Sequence, residues 1–148
     1  MLDNRKALIF LNALGETLKF NPGEIEEDQQ RFQVTIQKNP IIIEFENRSE
    51  RPDRVVFYSV LAKIASTHRA SFASLFLEAN YLWSATGDAT IGVNSETDEV
   101  MFSHQLLTES LNTEQFINEF LIFAHTLDNW KKLVEELQQS SFSGLSQL

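Results

Sequence analysis

A chain of 148 residues, 43% apolar and 22% charged, has the length and balance of one folded domain rather than a disordered tail. Its formal net charge of −9 makes phosphate backbones and anionic lipid repulsive partners, so neither nucleic acid nor a membrane surface is expected to bind it. It has no cysteine, which excludes disulfides, thiolate chemistry and cysteine-ligated metals.

The first predicted element is a helix over residues 4–19, with Asp3 or Asn4 as its cap. Ala7, Leu11, Leu14 and Leu18 form one apolar stripe, while Leu8, Ile9 and Phe10 carry apolar surface around the other side. The same stretch is expected to be an amphipathic helix and not a signal peptide. Asn12 breaks its apolar run and Glu16 stands where small residues belong. No stretch reaches the ~20 apolar residues of a membrane span, and the expected location is the cytoplasm. Asn21-Pro22-Gly23 ends the helix, and the acidic run Glu24, Glu26, Glu27 and Asp28 follows as a solvated segment or a lure for a basic partner.

Three strands come next. Over residues 31–37, Phe32, Val34 and Ile36 alternate with polar side chains, the period of a half-buried strand. Lys38-Asn39-Pro40 is expected as the hairpin turn. In residues 41–46, Ile41, Ile43 and Phe45 share one face, and Ile42, Glu44 and Glu46 the other. Residues 54–61 are apolar on both faces, which predicts a central strand covered on both sides.

A second helix is expected over residues 67–83, with a main stripe of Phe72, Leu75, Phe76, Ala79 and Trp83. A second face of Ala70, Ala73 and Leu77 is small enough for another element to approach closely. Two more strands, 89–93 and 99–105, are joined by a turn-rich run. The last helix covers residues 113–138, started by Thr113 with Glu114 and Gln115. Phe116, Phe120, Phe123, Leu127, Trp130, Val134 and Leu137 step along it by threes and fours. Both Trp83 and Trp130 are expected in the core or at a subunit contact. The tail from about residue 140 is Ser-rich and expected to fray. The order α-β-β-β-α-β-β-α predicts a single α+β domain of three helices and a five-stranded, mainly antiparallel sheet.

Chemistry is scarce. His68, His104 and His125 fall on different elements, and the pair His125 and Asp128 supplies too few ligands for a metal. GxxxxGK[ST], GxGxxG and GxSxG are all absent, so neither a nucleotide site nor a nucleophile elbow is expected, and no cofactor is assigned. Arg48, Arg51 and Arg54 read as a solubilising loop. Twelve phenylalanines give more apolar surface than the stripes above consume. Surplus apolar patches mark protein–protein surfaces.

Several local features together resemble the class I type III secretion chaperones, the Tir-chaperone-like family. They are Leu11 to Gly15 closing the first helix, the run Leu75-Phe76-Leu77-Glu78-Ala79-Asn80, Gly87, Ile91-Gly92-Val93, Val100-Met101-Phe102, and Phe116, Phe120, Ala124 and Trp130 on the last helix. The resemblance spans Leu8 to Leu137. It implies an ATP-independent, non-enzymatic homodimer of the bacterial cytoplasm. Such a dimer holds the extended N-terminal segment of a secreted effector protein and keeps it competent for secretion. It places cargo contacts at Ile9, Phe10, Phe32, Val34, Ile36 and Ile42, by strand addition to a sheet edge with side chains entering apolar pockets. The dimer contact maps to Phe72, Ala73, Phe76 and Ala79. The alternatives are a chaperone-like regulator that sequesters another secretion protein, and a small enzyme or ligand-binding α+β domain built around His104 or His125.

Overall fold

A computed structural model describes residues 4–20 and 30–141. Asp3, the acidic run at 24–28 and nearly all of the Ser-rich tail lie outside the described residues. Helix α1 spans Asn4–Leu18, strands β1, β2 and β3 span Arg31–Ile36, Asn39–Glu46 and Arg54–Lys63, and helix α2 spans Arg69–Asn80. Strands β4 and β5 occupy Thr90–Asn94 and Glu99–Leu107, and helix α3 occupies Thr113–Glu136. The element order is the expected one. All strand pairings are antiparallel and the sheet order is β1-β2-β3-β5-β4, so β3 is central and β1 and β4 are the edges.

The β1–β2 hairpin turns one residue earlier than expected. Gln37 (φ 51°) and Lys38 (φ 66°) are both left-handed and connect the paired residues Ile36 and Asn39. A two-residue turn of that kind carries the twist of its strands. Asn39 and Pro40 therefore belong to β2. Pro40 is tolerated because β2 begins pairing with β3 only at Ile42, which leaves no ladder bond for its missing N–H.

One face of the sheet carries Val34, Ile41, Ile43, Phe45, Val55, Phe57, Val100 and Phe102, all buried. Helices α1 and α3 pack on that face. Phe116 of α3 lies stacked on Phe10 of α1 (centroids 4.7 Å apart, planes 9° apart) and edge-on to Phe57 at 5.6 Å. Phe120 and Phe123 continue the contact with Phe57 and Phe102. Helix α3 starts at Thr113 as expected, and Asn112 before it is the capping residue. The Asn112 side chain accepts from the Gln115 N–H at 2.8 Å, and the Gln115 side chain accepts from the Asn112 N–H at 3.0 Å. This reciprocal cap stabilises the first turn.

Helix α2 packs beside β4, with Phe76 edge-on to Trp130. It stops at Asn80, three residues short of the expected end. The Asn80 side chain donates to the Ile91 carbonyl and accepts from the Ile91 N–H, each at 2.9 Å, so it replaces a strand partner on the β4 edge. Leu82 and Trp83 then adopt left-handed backbone (φ 55° and 56°) that no helix can continue. Trp130 is buried as expected, whereas Trp83 is 49% exposed.

The opposite face of the sheet is open. On β3, Val56 and Tyr58 are half-buried and Val60 is 39% exposed, so the expected second cover is missing from the single chain. Polar pairs occupy much of that face. Arg54 donates to Glu46 at 2.5 Å and to Gln105, Tyr58 donates to Glu44 at 3.2 Å, and Arg31 lies over the Tyr58 ring.

Candidate functional site

The histidines are engaged in separate local contacts. His104 pairs with Glu119 at 3.1 Å beside Phe57, and His125 meets Asn129 at 3.3 Å. Asp128 takes Asn39 and Lys132 as its partners. Among the described residues no three His, Asp or Glu side chains gather as metal ligands.

The β1 edge is a different matter. Phe45 donates its N–H to the Gln30 carbonyl, which places a hydrogen-bonded pair at Gln30 and Phe45. Antiparallel ladders alternate, so Phe32, Val34 and Ile36 also bond toward β2. The amide and carbonyl groups of Gln33 and Thr35 then point away from β2, toward the sheet edge. Beside them lies a groove of ≈ 370 Å³ lined by Leu18, Phe20, Gln33, Val34, Thr35 and Ile36. The end of α1 forms one wall and the edge strand the other. Directed backbone groups next to an apolar trough are what an added strand requires: the ladder supplies affinity and the trough takes alternate side chains. The opposite edge, at Ile91, is already occupied by Asn80.

The six residues assigned to cargo separate into three groups. Phe32 and Ile36 are half-buried, and Val34 and Ile36 line the groove. Phe10 is only 1% exposed and is consumed by its stacking on Phe116; it is a core residue, while Ile9 beside it is 56% exposed. Ile42 projects from the opposite face of the sheet, because its parity differs from that of Ile41 and Ile43. Leu18 and Phe20 carry no groove signal in the sequence. They join it only because the α1 terminus folds back onto β1, with the Phe20 N–H bonded to the Gly15 carbonyl at 3.0 Å.

Helix α2 divides in the same way. Phe72, Phe76 and Ala79 are buried within the single chain and Ala73 is half-buried. The outward stripe is Ala70, Ser74 and Leu77, the last 71% exposed, and it continues into exposed Tyr81.

The hairpin that presents β1 is tied to α3 by Asn39, which is buried and donates to Asp128 at 3.1 Å. Hydrogen bonds from Lys132 and Asn39 hold the Asp128 carboxyl below its ordinary range. A carboxylate whose native pKa is depressed adds stability that is complete above its unfolded value, about 3.9, and is lost as pH falls through the native one. The melting temperature is therefore expected to drop on acidification below about pH 4. Asp128→Asn should flatten that part of the profile, as thermal melts across the acid range will show.

Over residues 10–131 the chain matches the Tir chaperone protein (CesT) family, and it belongs to that family. Its members are secretion chaperones, not enzymes. Among solved structures, a chain of the ExsC–ExsE complex aligns with a TM-score of 0.66 and 14% identity, covering 90% of this chain and 96% of that one. A chain of the HopA1–SchA chaperone–effector complex gives 0.63 and 12%, covering 89% and 99%. A chain of the ExoT–SpcS complex from Pseudomonas aeruginosa gives 0.59 and 12%, covering 87% and 98%. At such identities the likeness shows a shared fold. No curated protein sequence matches the chain. Among the described residues no helix is long and apolar enough to cross a membrane.

Proposed function

We propose that the protein is an ATP-independent chaperone of type III secretion that acts as a homodimer. It holds an extended N-terminal segment of a secreted effector against β1. The observation that carries this reading is the β1 edge itself, where outward-directed backbone groups adjoin an apolar groove in a chain of the Tir chaperone family. The aligned HopA1–SchA structure is a chaperone–effector complex, which supports the same assignment. An extended segment bound there would keep its apolar side chains out of water without any chemical step. The direct test is to isolate the tagged protein with its partner and digest the complex. An N-terminal stretch of the partner should resist proteolysis, and a partner cleaved equally fast bound and free would refute strand addition.

The dimer contact in this reading lies on the outward stripe of α2, Ala70, Ser74, Leu77 and Tyr81, with half-buried Ala73 at its margin, because Phe72, Phe76 and Ala79 already pack within their own subunit. Small residues at Ala70 and Ala73 allow close approach, and Leu77 supplies the largest exposed apolar side chain of the helix. Leu77→Asp is expected to give monomers by sedimentation velocity with an unchanged far-UV spectrum. A variant that stays dimeric would move the contact elsewhere.

A further inference from the structure

On the open face of the sheet, at the far end from the β1 groove, lies a second cavity of ≈ 580 Å³. Strand β4 begins at Thr90, opposite Ser103, so β5 runs on from there without a neighbour on that side. The segment between α2 and β4 fills part of the gap and forms a wall. That wall is firmly held. The buried Thr86 hydroxyl donates to the Ala89 carbonyl at 2.5 Å, Trp130 Nε1 donates to the Ala85 carbonyl at 2.9 Å, and the Asp88 N–H bonds the Trp83 carbonyl at 3.1 Å. Left-handed backbone at Leu82, Trp83 and Asp88 sets the direction of the side chains it carries.

Three groups give the cavity its character. Trp83 lines it while half-exposed, a large aromatic surface left in water. Arg54 lines it too, but its guanidinium already faces the Glu46 carboxylate and the Gln105 side-chain oxygen. Asp88 is exposed and, among the described residues, its carboxylate has no hydrogen bond or ion pair. With Arg54 matched by Glu46, the unmatched charge of the cavity is negative and stands beside an aromatic ring. Aromatic faces attract cations through their quadrupole, Arg most often, and a carboxylate adds a charge-assisted hydrogen bond. The Ser103 and Thr90 hydroxyls in the lining can accept further guanidinium N–H bonds.

We infer that this cavity receives one arginine side chain of the bound effector segment. The inference rests on the chaperone reading above, and the net charge of −9 favours a basic client in general. From β1 to β5 is three strand spacings, about 14 Å, so about five residues of extended chain reach from the groove to the cavity. The two sites would then grip one segment by different chemistry, apolar at the edge and cationic on the open face.

The test uses the intact protein and two small probes, N-acetyl-arginine amide and its neutral isostere N-acetyl-citrulline amide, followed by NMR at the two indole N–H signals. Trp83→Phe assigns the signals, since it removes one of them. The arginine probe is expected to shift the Trp83 signal and leave the Trp130 signal in place, and to bind about tenfold or more tightly than the citrulline probe. Asp88→Asn should abolish that preference while keeping the fold, because asparagine tolerates the left-handed backbone at this position (φ 71°). Equal binding of both probes, or a preference that survives Asp88→Asn, would overturn the inference. A separate peptide with apolar residues at alternate positions and no basic residue reports on the β1 groove. If it binds while the arginine probe does not, the chaperone reading stands and the cavity assignment falls. If the arginine probe binds and the apolar peptide does not, the reverse holds.

Discussion

Phe116→Ala is expected to be the most damaging single substitution in the described core. Its ring is fully buried and touches Phe10 of α1, Phe45 of β2 and Phe57 of β3, so it joins two helices and the sheet. Truncating such a ring removes its transfer free energy and leaves a cavity that three different elements cannot easily close. Losses for buried Phe→Ala are about 3–5 kcal/mol, against a total stability of about 5–15 kcal/mol for a typical domain. For a chain of this size the melting temperature should fall by about 6–20 °C. Urea denaturation of wild type, Phe116→Ala and Phe116→Leu checks this, because leucine keeps much of the volume and should recover most of the loss. A Phe116→Ala midpoint equal to wild type would mean that the aromatic cluster does not bind the layers together.

Ile36→Asp is expected to give the second large effect, on partner binding instead of folding. Ile36 lines the β1 groove and is only half-buried, so the fold can tolerate a polar replacement there. A bound apolar side chain would then lose its contact and face a carboxylate that must be desolvated. Central interface positions of this kind cost about 2 kcal/mol or more, roughly a thirtyfold loss of affinity. Gln33→Pro probes the backbone half of the same interaction. Proline removes an N–H directed at the sheet edge while sparing the β1–β2 ladder, and proline is admissible on an edge strand for that reason. Both variants should release the partner in pull-down and calorimetry, with circular dichroism unchanged. Leu133→Asp, a change at an exposed apolar residue of α3, serves as the surface-charge control and should bind normally. Retention of the partner by both β1 variants would remove the edge from the mechanism.

The two expected results draw on different kinds of information. Residues such as Ile41, Ile43, Phe45, Phe116, Phe120 and Phe123 announce their burial through periodicity alone, because a strand alternates by two and a helix by 3.6. The element order and the central hydrophobic helix are therefore legible in the residue pattern itself. Element ends are less so. Asn80 looks like an ordinary helix residue, yet its side chain closes the β4 edge eleven residues away, and that bond ends α2 early. The Gln37-Lys38 turn lacks the glycine or asparagine that usually marks left-handed backbone, so residue types point to a turn one position too late.

By itself the sequence determined an acidic chain of α+β class with an apolar excess and no motif for covalent chemistry. It also placed β1 as a half-buried strand and linked the chain to its family. Only the tertiary structure decided how the apolar residues are shared out. Phe10 went to the core and Ile9 to the surface, Phe72 and Phe76 went inward and Leu77 outward, and Leu18 and Phe20 joined Ile36 at a groove. The reason is physical. Periodicity states that a side chain wants cover, but the covering surface comes from residues distant in the chain, and their number sets which apolar groups remain for a partner.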